Sequence, residues 1–92
     1  MIKYEVLLSE TVRKQLKDLP IDLQQRIKAS LMELKNDPFR SRPKVDIKRL
    51  KGPNRNYFRL RIGDYRVLYV IEETNVMVAK VFHRSQGYDW IE

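Results

Sequence analysis

The sequence predicts an α+β fold: an N-terminal strand, two antiparallel helices, then three or four antiparallel strands with a short C-terminal segment. Three observations predict it. Apolar residues alternate at the N-terminus, recur at helical spacing on both sides of Pro20, and return to alternation around Gly63-Asp64. Two helices and one small sheet can share a core if the helices cover one face of the sheet.

Ile2, Tyr4, Val6 and Leu8 alternate with Lys3 and Glu5, the pattern of a strand with one buried face. Ser9 is placed to cap a helix. Val12, Leu16 and Leu19 then fall at i, i+4 and i+7 and form an apolar stripe, which Pro20 ends. A second helix is expected from Ile21 to Asn36 with Leu23, Ile27, Leu31 and Leu34 as its stripe, closed by Asn36-Asp37-Pro38. The short break at Pro20 makes the two helices antiparallel neighbours. Residues 37–55 hold three prolines and many basic side chains and read as a long loop, with room for a short strand near Val45–Leu50. Tyr57–Ile62, Tyr65–Glu72 and Val76–Phe82 read as strands, joined by turns at Gly63-Asp64 and near Thr74-Asn75. The segment from Ser85 to Glu92 leaves room for a turn of helix.

With 92 residues the chain is one domain, residues 1–92, without room for a second core. It has no cysteine, which excludes disulfides and thiolate metal sites and suits a reducing, cytoplasmic setting. Its longest apolar run is Val67–Ile71, far short of the roughly 20 residues of a membrane span. The N-terminus lacks the pattern of a signal peptide. The net charge of +7 is unevenly placed. Between Arg40 and Arg66 there are ten Lys or Arg against two acids, whereas the rest of the chain has nine basic and ten acidic residues. One segment thus carries essentially all the excess charge, including Lys44, Lys48, Arg49, Lys51 and Arg55. Such a field attracts phosphate polymers and releases their counterions. An acidic protein partner, or a plain solubilising surface, would satisfy the same charge.

The Gly63-Asp64 hairpin is the most informative feature. A two-residue loop there sets Ile62 opposite Tyr65, Arg61 opposite Arg66 and Leu60 opposite Val67. Phe58, Leu60, Ile62, Tyr65, Val67 and Tyr69 then share an apolar face, and Tyr57, Arg59, Arg61 and Arg66 share the other. Like charges directly opposite destabilise a sheet, so the Arg61–Arg66 pair points to an anion held between them, or else to two side chains splayed into solvent. If Thr74-Asn75 is also a two-residue loop, Leu68 pairs with Val81 and Arg66 with His83. His83 would then join the arginine face with Arg84 just beyond, although Lys80 would fall on the apolar face. A lone histidine is otherwise structural or exposed. Tyr88 either covers the sheet edge with Trp90 and Ile91 or stands near the arginines for stacking or acid–base work.

Other chemistries are excluded. The three glycines form no phosphate-binding loop, no His, Asp and Glu cluster has metal-ligand spacing, and no nucleophile motif is present. No cofactor is implied. An RNA-cleaving enzyme built this way would take its nucleophile from the substrate: the 2′-OH attacks the adjacent phosphorus while cations stabilise the growing charge.

Leu50-Lys51-Gly52, followed by Tyr57-Phe58-Arg59-Leu60-Arg61-Ile62-Gly63-Asp64-Tyr65-Arg66-Val67-Leu68-Tyr69, closely resembles the RelE/ParE toxin superfamily, as do Phe82-His83-Arg84 with Tyr88 and the Leu19-Pro20 break. The resemblance spans nearly the whole chain and implies the RelE-like microbial RNase fold. The RelE branch cleaves mRNA in the ribosomal A site without a metal, inhibiting translation, and a RelB-like antitoxin wraps and silences it. Operator DNA, where bound, is reached through the antitoxin. By this resemblance Arg66 holds the scissile phosphate and Arg84 helps stabilise transition-state charge. Arg59 and Arg61 contact the backbone and favour the 2′-OH nucleophile, Tyr88 stacks on a base or assists proton transfer, and Lys48 and Lys51 grip ribosomal RNA. The basic loop and Tyr57 extend the RNA-binding surface. Relatives often carry lysines where this chain has Tyr57 and Arg59. Because arginine does not deprotonate in proteins, His83 stands as a candidate base. A ParE-like inhibitor of DNA gyrase and a non-catalytic RNA- or protein-binding relative share the fold and remain the alternatives.

Overall fold

Ser9 divides the first strand from the first helix. Its side chain accepts a hydrogen bond from the Val12 amide at 3.1 Å, satisfying one of the free donors of the first helical turn. In the computed structural model, which describes residues 3–50 and 56–86, strand β1 (Glu5–Leu8) leads through this cap into helix α1 (Glu10–Lys17). Helix α2 (Ile21–Glu33) begins directly after Pro20. It was expected to reach Asn36. Residues 34–36 do continue the coil, but through tighter bonds such as Leu34 N–H to Leu31 O at 3.0 Å.

Four antiparallel strands follow: β2 (Asp46–Arg49), β3 (Tyr57–Ile62), β4 (Tyr65–Glu72) and β5 (Asn75–His83), closed by a 3₁₀ turn at Arg84–Gln86. The spatial order is β1-β5-β4-β3-β2, and β1 joins β5 in parallel, so the five-stranded sheet is mixed. The short strand foreseen near Val45–Leu50 is β2, an edge of the sheet. The 3₁₀ turn starts one residue before the Ser85–Glu92 segment expected to form a turn of helix and overlaps its first two residues; residues 87–92 lie outside the described residues.

The helices cover one face. Val12, Leu16, Ile27, Leu31 and Leu34 pack with Phe58, Leu60, Ile62, Val67 and Tyr69 in a single core, which Tyr4, Val6, Leu8, Leu19 and Leu23 fringe. Tyr69 is fully buried and donates its hydroxyl hydrogen to Pro38 O at 2.8 Å, tying the long loop to the sheet. Burial pushes the Tyr69 phenol above its ordinary range. The opposite face carries its own small cluster, in which Leu50, Leu68 and Phe82 are buried and Tyr57 packs against them.

The β3–β4 register agrees with expectation, with Arg61 opposite Arg66 and Ile62 opposite Tyr65. The β4–β5 register does not. The turn falls at Glu73-Thr74, one residue earlier than Thr74-Asn75, and Glu72 pairs with Asn75. That shift alone keeps every side chain on its expected face. A β-bulge then intervenes between Leu68 and Tyr69, because Leu68 pairs with Lys80 while Tyr69 pairs with Val78, leaving Ala79 as the extra residue. One extra residue reverses the facing of everything beyond it. Arg66 therefore pairs with Phe82 rather than His83, and Leu68 with Lys80 rather than Val81. Lys80 and Phe82 come to the arginine face and His83 leaves it.

Candidate active site and nucleic-acid interface

The site is organised by the Gly63-Asp64 turn. Gly63 has φ +57°, a left-handed conformation that glycine adopts without a side-chain clash. Arg61 and Arg66 leave the turn on adjacent strands as a directly opposed pair. Arg66 Nη1 donates to Gly63 O at 2.9 Å and to Tyr65 O at 3.0 Å, which holds the side chain close to the turn. Arg84 comes from the end of β5: its amide donates to Asp64 O at 2.7 Å and its Nε lies 3.5 Å from Asp64 Oδ1. The Arg84–Asp64 ion pair is well exposed, so it positions more than it stabilises. Arg26 of α2 approaches from the other side; its guanidinium nitrogens lie 3.2 Å from where a Cβ on Gly63 would sit. Four arginines thus meet around one two-residue turn.

Arg59 shares the face but not the freedom. Its Nη2 donates to Asp46 Oδ1 at 2.8 Å, its side chain is only 15% exposed, and its Nε is buried without a hydrogen-bond partner. Asp46 offsets its charge, so Arg59 is held as part of the platform beneath Arg61. Lys48 lies opposite Arg59 and is exposed on the same face. Tyr57 is half-buried against Leu50, Leu68 and Phe82. Lys80 Nζ sits 5.8 Å from the Phe82 ring centre.

Several expected site residues lie elsewhere. Arg49 is opposite Phe58 on the helix-facing side, where its guanidinium lies 5.6 Å from the ring centre. His83 pairs with Tyr65, meets its ring edge-on at 5.2 Å, and lines a groove with Gln15, Asp18 and Leu19 of the α1 end. Its Nδ1 accepts from the Ser85 amide at 3.1 Å and faces Ser85 Oγ at 2.8 Å. That nitrogen is fully occupied and turned away from the arginines, a result of the bulge. Lys44 is exposed at the mouth of a groove shared with Arg26 and Arg61. Lys51, Arg55 and Tyr88 lie outside the described residues. Among the described residues no group of His, Cys, Asp and Glu could hold a metal ion, and no helix is long and apolar enough to cross a membrane.

The arrangement can hold a phosphodiester between Arg61 and Arg66 and place Arg84 against charge developing on it. Comparison with known proteins identifies the family. Residues 6–88 match the family model of the ParE toxin of the type II toxin–antitoxin system parDE. Toxin RelE3 of Methanocaldococcus jannaschii is 35% identical over 86 residues, covering 94% of this chain and 97% of that toxin. The chain belongs to the RelE/ParE toxin family.

Within that family its curated relatives are RelE toxins. The fold matches the toxin–antitoxin complex RelBE2 of Mycobacterium tuberculosis, with TM-score 0.78, 29% identity and coverage of 90% of this chain and 100% of that one. It also matches the archaeal RelE–RelB complex of Pyrococcus horikoshii, with TM-score 0.77, 28% identity and coverage of 92% and 99%. The fold anticipated from the RelE resemblance is thus the fold observed, and the chain is a type II toxin of the RelE kind. Sequence reasoning missed Arg26, whose helical position gave no sign of the turn it reaches. It also missed Lys80 on this face, although the awkwardness of a lysine among apolar partners was a usable signal for the bulge.

Proposed function

We propose that this RelE-family toxin is an endoribonuclease that cleaves mRNA in the ribosomal A site by 2′-OH attack on the adjacent phosphorus, and so inhibits translation. The observation that carries the reading is the convergence of Arg61, Arg66 and Arg84 on the Gly63-Asp64 turn. Opposing Arg61 to Arg66 has no structural benefit, whereas a bound phosphate turns the repulsion into two charge-assisted contacts. The substrate supplies the nucleophile: the 2′-oxygen bonds to phosphorus as its proton passes to a base, the bond from phosphorus to the 5′-oxygen breaks, and that leaving oxygen takes up a proton, giving a 2′,3′-cyclic phosphate and a 5′-hydroxyl end. In the trigonal-bipyramidal transition state the extra negative charge falls on the non-bridging oxygens, and preorganised guanidinium groups stabilise it without reorganising. Arg66 holds the scissile phosphate, Arg84 meets the developing charge, and Arg61 orients the backbone, supported by Arg59. Tyr88 is assigned proton transfer or base stacking by the resemblance alone. His83 is left out of the machinery because it faces α1. Lys44, Lys48, Lys51 and Arg55 are assigned to the RNA-binding surface. Arg49, packed on Phe58, is removed from it.

A RelB-like antitoxin is the proposed regulator, as in the RelE–RelB complexes to which the fold is similar. The outer face of β1 and β5 exposes Leu7 and Met77 as paired neighbours, an apolar strip beside the basic one where such a segment can fold.

Primer extension on a defined mRNA, translated in a reconstituted system with and without ribosomes, tests the function. Cuts within the A-site codon that need ribosomes and vanish in Arg66→Ala are expected. Folded protein that makes no cuts but blocks supercoiling by gyrase would overturn the reading in favour of the ParE-like one.

A further inference from the structure

Around the β2 edge from the arginine face, a groove of about 540 Å³ opens between α2 and the sheet, lined by Arg26, Ser30, Lys44, Asp46, Arg61 and Gly63 among others. We propose that this groove is a second phosphate subsite, which takes the backbone of single-stranded RNA as it leaves the cleavage face. The proposal rests on the nuclease reading and adds to it a path for the substrate strand.

The groove gathers cations that nothing in the fold uses. Arg59 is tied to Asp46, Arg66 to two carbonyl oxygens, Arg84 to Asp64 and Arg42 to Glu33. The side chains of Arg26, Lys44 and Arg61 make no hydrogen bond or ion pair among the described residues, and all three line this one groove. The acid that also lines it, Asp46, already accepts from Arg59 at 2.8 Å, so its charge is offset from behind. Three free cations on a concave wall raise the local positive potential and attract a polyanion more than the same charges spread on a convex surface.

The groove is also continuous with the proposed cleavage site. Arg61 belongs to both, opposed to Arg66 on one side and lining the groove on the other. The Arg26 guanidinium lies against Gly63, whose carbonyl holds Arg66. A strand whose scissile phosphate sits at Arg66 therefore meets Arg61 and then Arg26 and Lys44 as it turns the sheet edge. The recognition is of backbone charge, so it applies to any RNA sequence.

Lys44 offers a clean variant. It has φ +70°, where glycine fits with less strain than lysine, so Lys44→Gly removes the charge without weakening the turn between Arg42 and Val45. The test is fluorescence anisotropy of a short single-stranded RNA, methylated at every 2′-OH to prevent cleavage, titrated from about 50 to 300 mM salt. Wild type is compared with Arg26→Gln, Lys44→Gly, their double variant, Arg26→Lys and Arg66→Ala. Each lost phosphate contact should lower the slope of log affinity against log salt by about 0.7, the double variant by about 1.4, and Arg26→Lys should keep the wild-type slope. Unchanged slopes in Arg26→Gln and Lys44→Gly, with the slope reduced in Arg66→Ala, would overturn the subsite and leave the cleavage face standing. A wild-type protein with no salt-dependent RNA binding would overturn the subsite, while the cleavage face is judged separately by the ribosome-dependent cuts. Weaker binding of an oligoglutamate peptide, with RNA binding intact, would assign the groove to an acidic protein partner and overturn the subsite as well.

Discussion

Replacing Arg61 by glutamine should make the toxin more stable and less active at once. Arg61 and Arg66 face each other across the β3–β4 hairpin, and Arg61 makes no compensating bond among the described residues. Directly opposed like charges cost a sheet roughly 0.2–1 kcal/mol. Glutamine keeps much of the side-chain length and removes the charge, so the free protein should gain about that amount. For a domain of this size 1 kcal/mol moves the melting temperature by about 4–8 °C, which makes the expected rise roughly 1–8 °C. The gain is electrostatic between exposed groups and should fade at about 1 M salt, where the screening length falls to about 3 Å. Calorimetry in a phosphate-free buffer at low and high salt reads both effects.

The same change should lower cleavage. Arg61 orients the backbone, and a misplaced reacting group typically costs on the order of 100-fold in rate. A-site cleavage in a reconstituted translation system, read as single-turnover rates, measures that loss, and growth arrest on expression should weaken in parallel. Arg61→Gln that melts lower than wild type, with cleavage intact, would refute the reasoning: Arg61 would then be a structural residue whose repulsion is relieved by some other group.

Three further outcomes follow from single contacts. Glu73 holds φ +55° at the β4–β5 turn, so Glu73→Gly should raise stability by a few tenths to about 1 kcal/mol, read by urea unfolding, with no effect on cleavage. Tyr69→Phe removes the donor to Pro38 O inside the core and leaves that carbonyl buried and unpaired, at a cost of about 1–3 kcal/mol in the same assay. Asp37 accepts from the Arg40 side chain and from the Phe39 and Arg40 amides, which hold its carboxyl down to about 2 from an ordinary 3.8. A depressed folded-state value means that its contribution is fully present above about pH 4 and is lost as pH falls through 2. Asp37→Asn should therefore be less stable at neutral pH and should show a shallower fall in stability between those limits.

The legible parts of this fold are those fixed by local rules. Ser9 as a cap, Pro20 as a break, the stripes of both helices and the Gly63-Asp64 hairpin each follow from a few neighbouring residues, and each holds in the structure. The β4–β5 register did not follow, because neither of its determinants has a local signature. Glu73 takes a left-handed turn position that glycine or asparagine usually marks, and Ala79 bulges without any residue type that announces a bulge. The site was legible to the same extent. Arg61 and Arg66 depended on the hairpin alone and were placed correctly. His83 depended on the second hairpin and was placed on the wrong face. Arg26 depended on how α2 lies over the turn, which only tertiary packing determines.

The bulge also explains how one thin sheet serves two purposes. Without it, β5 would present Val81 or His83 opposite Arg66, leaving Phe82 among the helices and the outer face without its buried anchor. With it, Phe82 and Leu68 pack with Leu50 beneath the basic residues, and Lys80 joins them instead of entering the core. A charged surface needs a fixed backbone to hold guanidinium groups where charge will develop, since preorganisation is what gives them catalytic value. The small outer cluster fixes the middle of that face, as the helices fix the inner one. The bulge, by absorbing Ala79, is therefore what brings Lys80 and Phe82 to this face. Deleting Ala79 should remove the bulge and leave Leu68 opposite Lys80 and Arg66 opposite Phe82 in a regular ladder, so the outer cluster and cleavage should both survive; a folded deletion variant that no longer cleaves would show that the site needs the local twist of the bulge as well as the register.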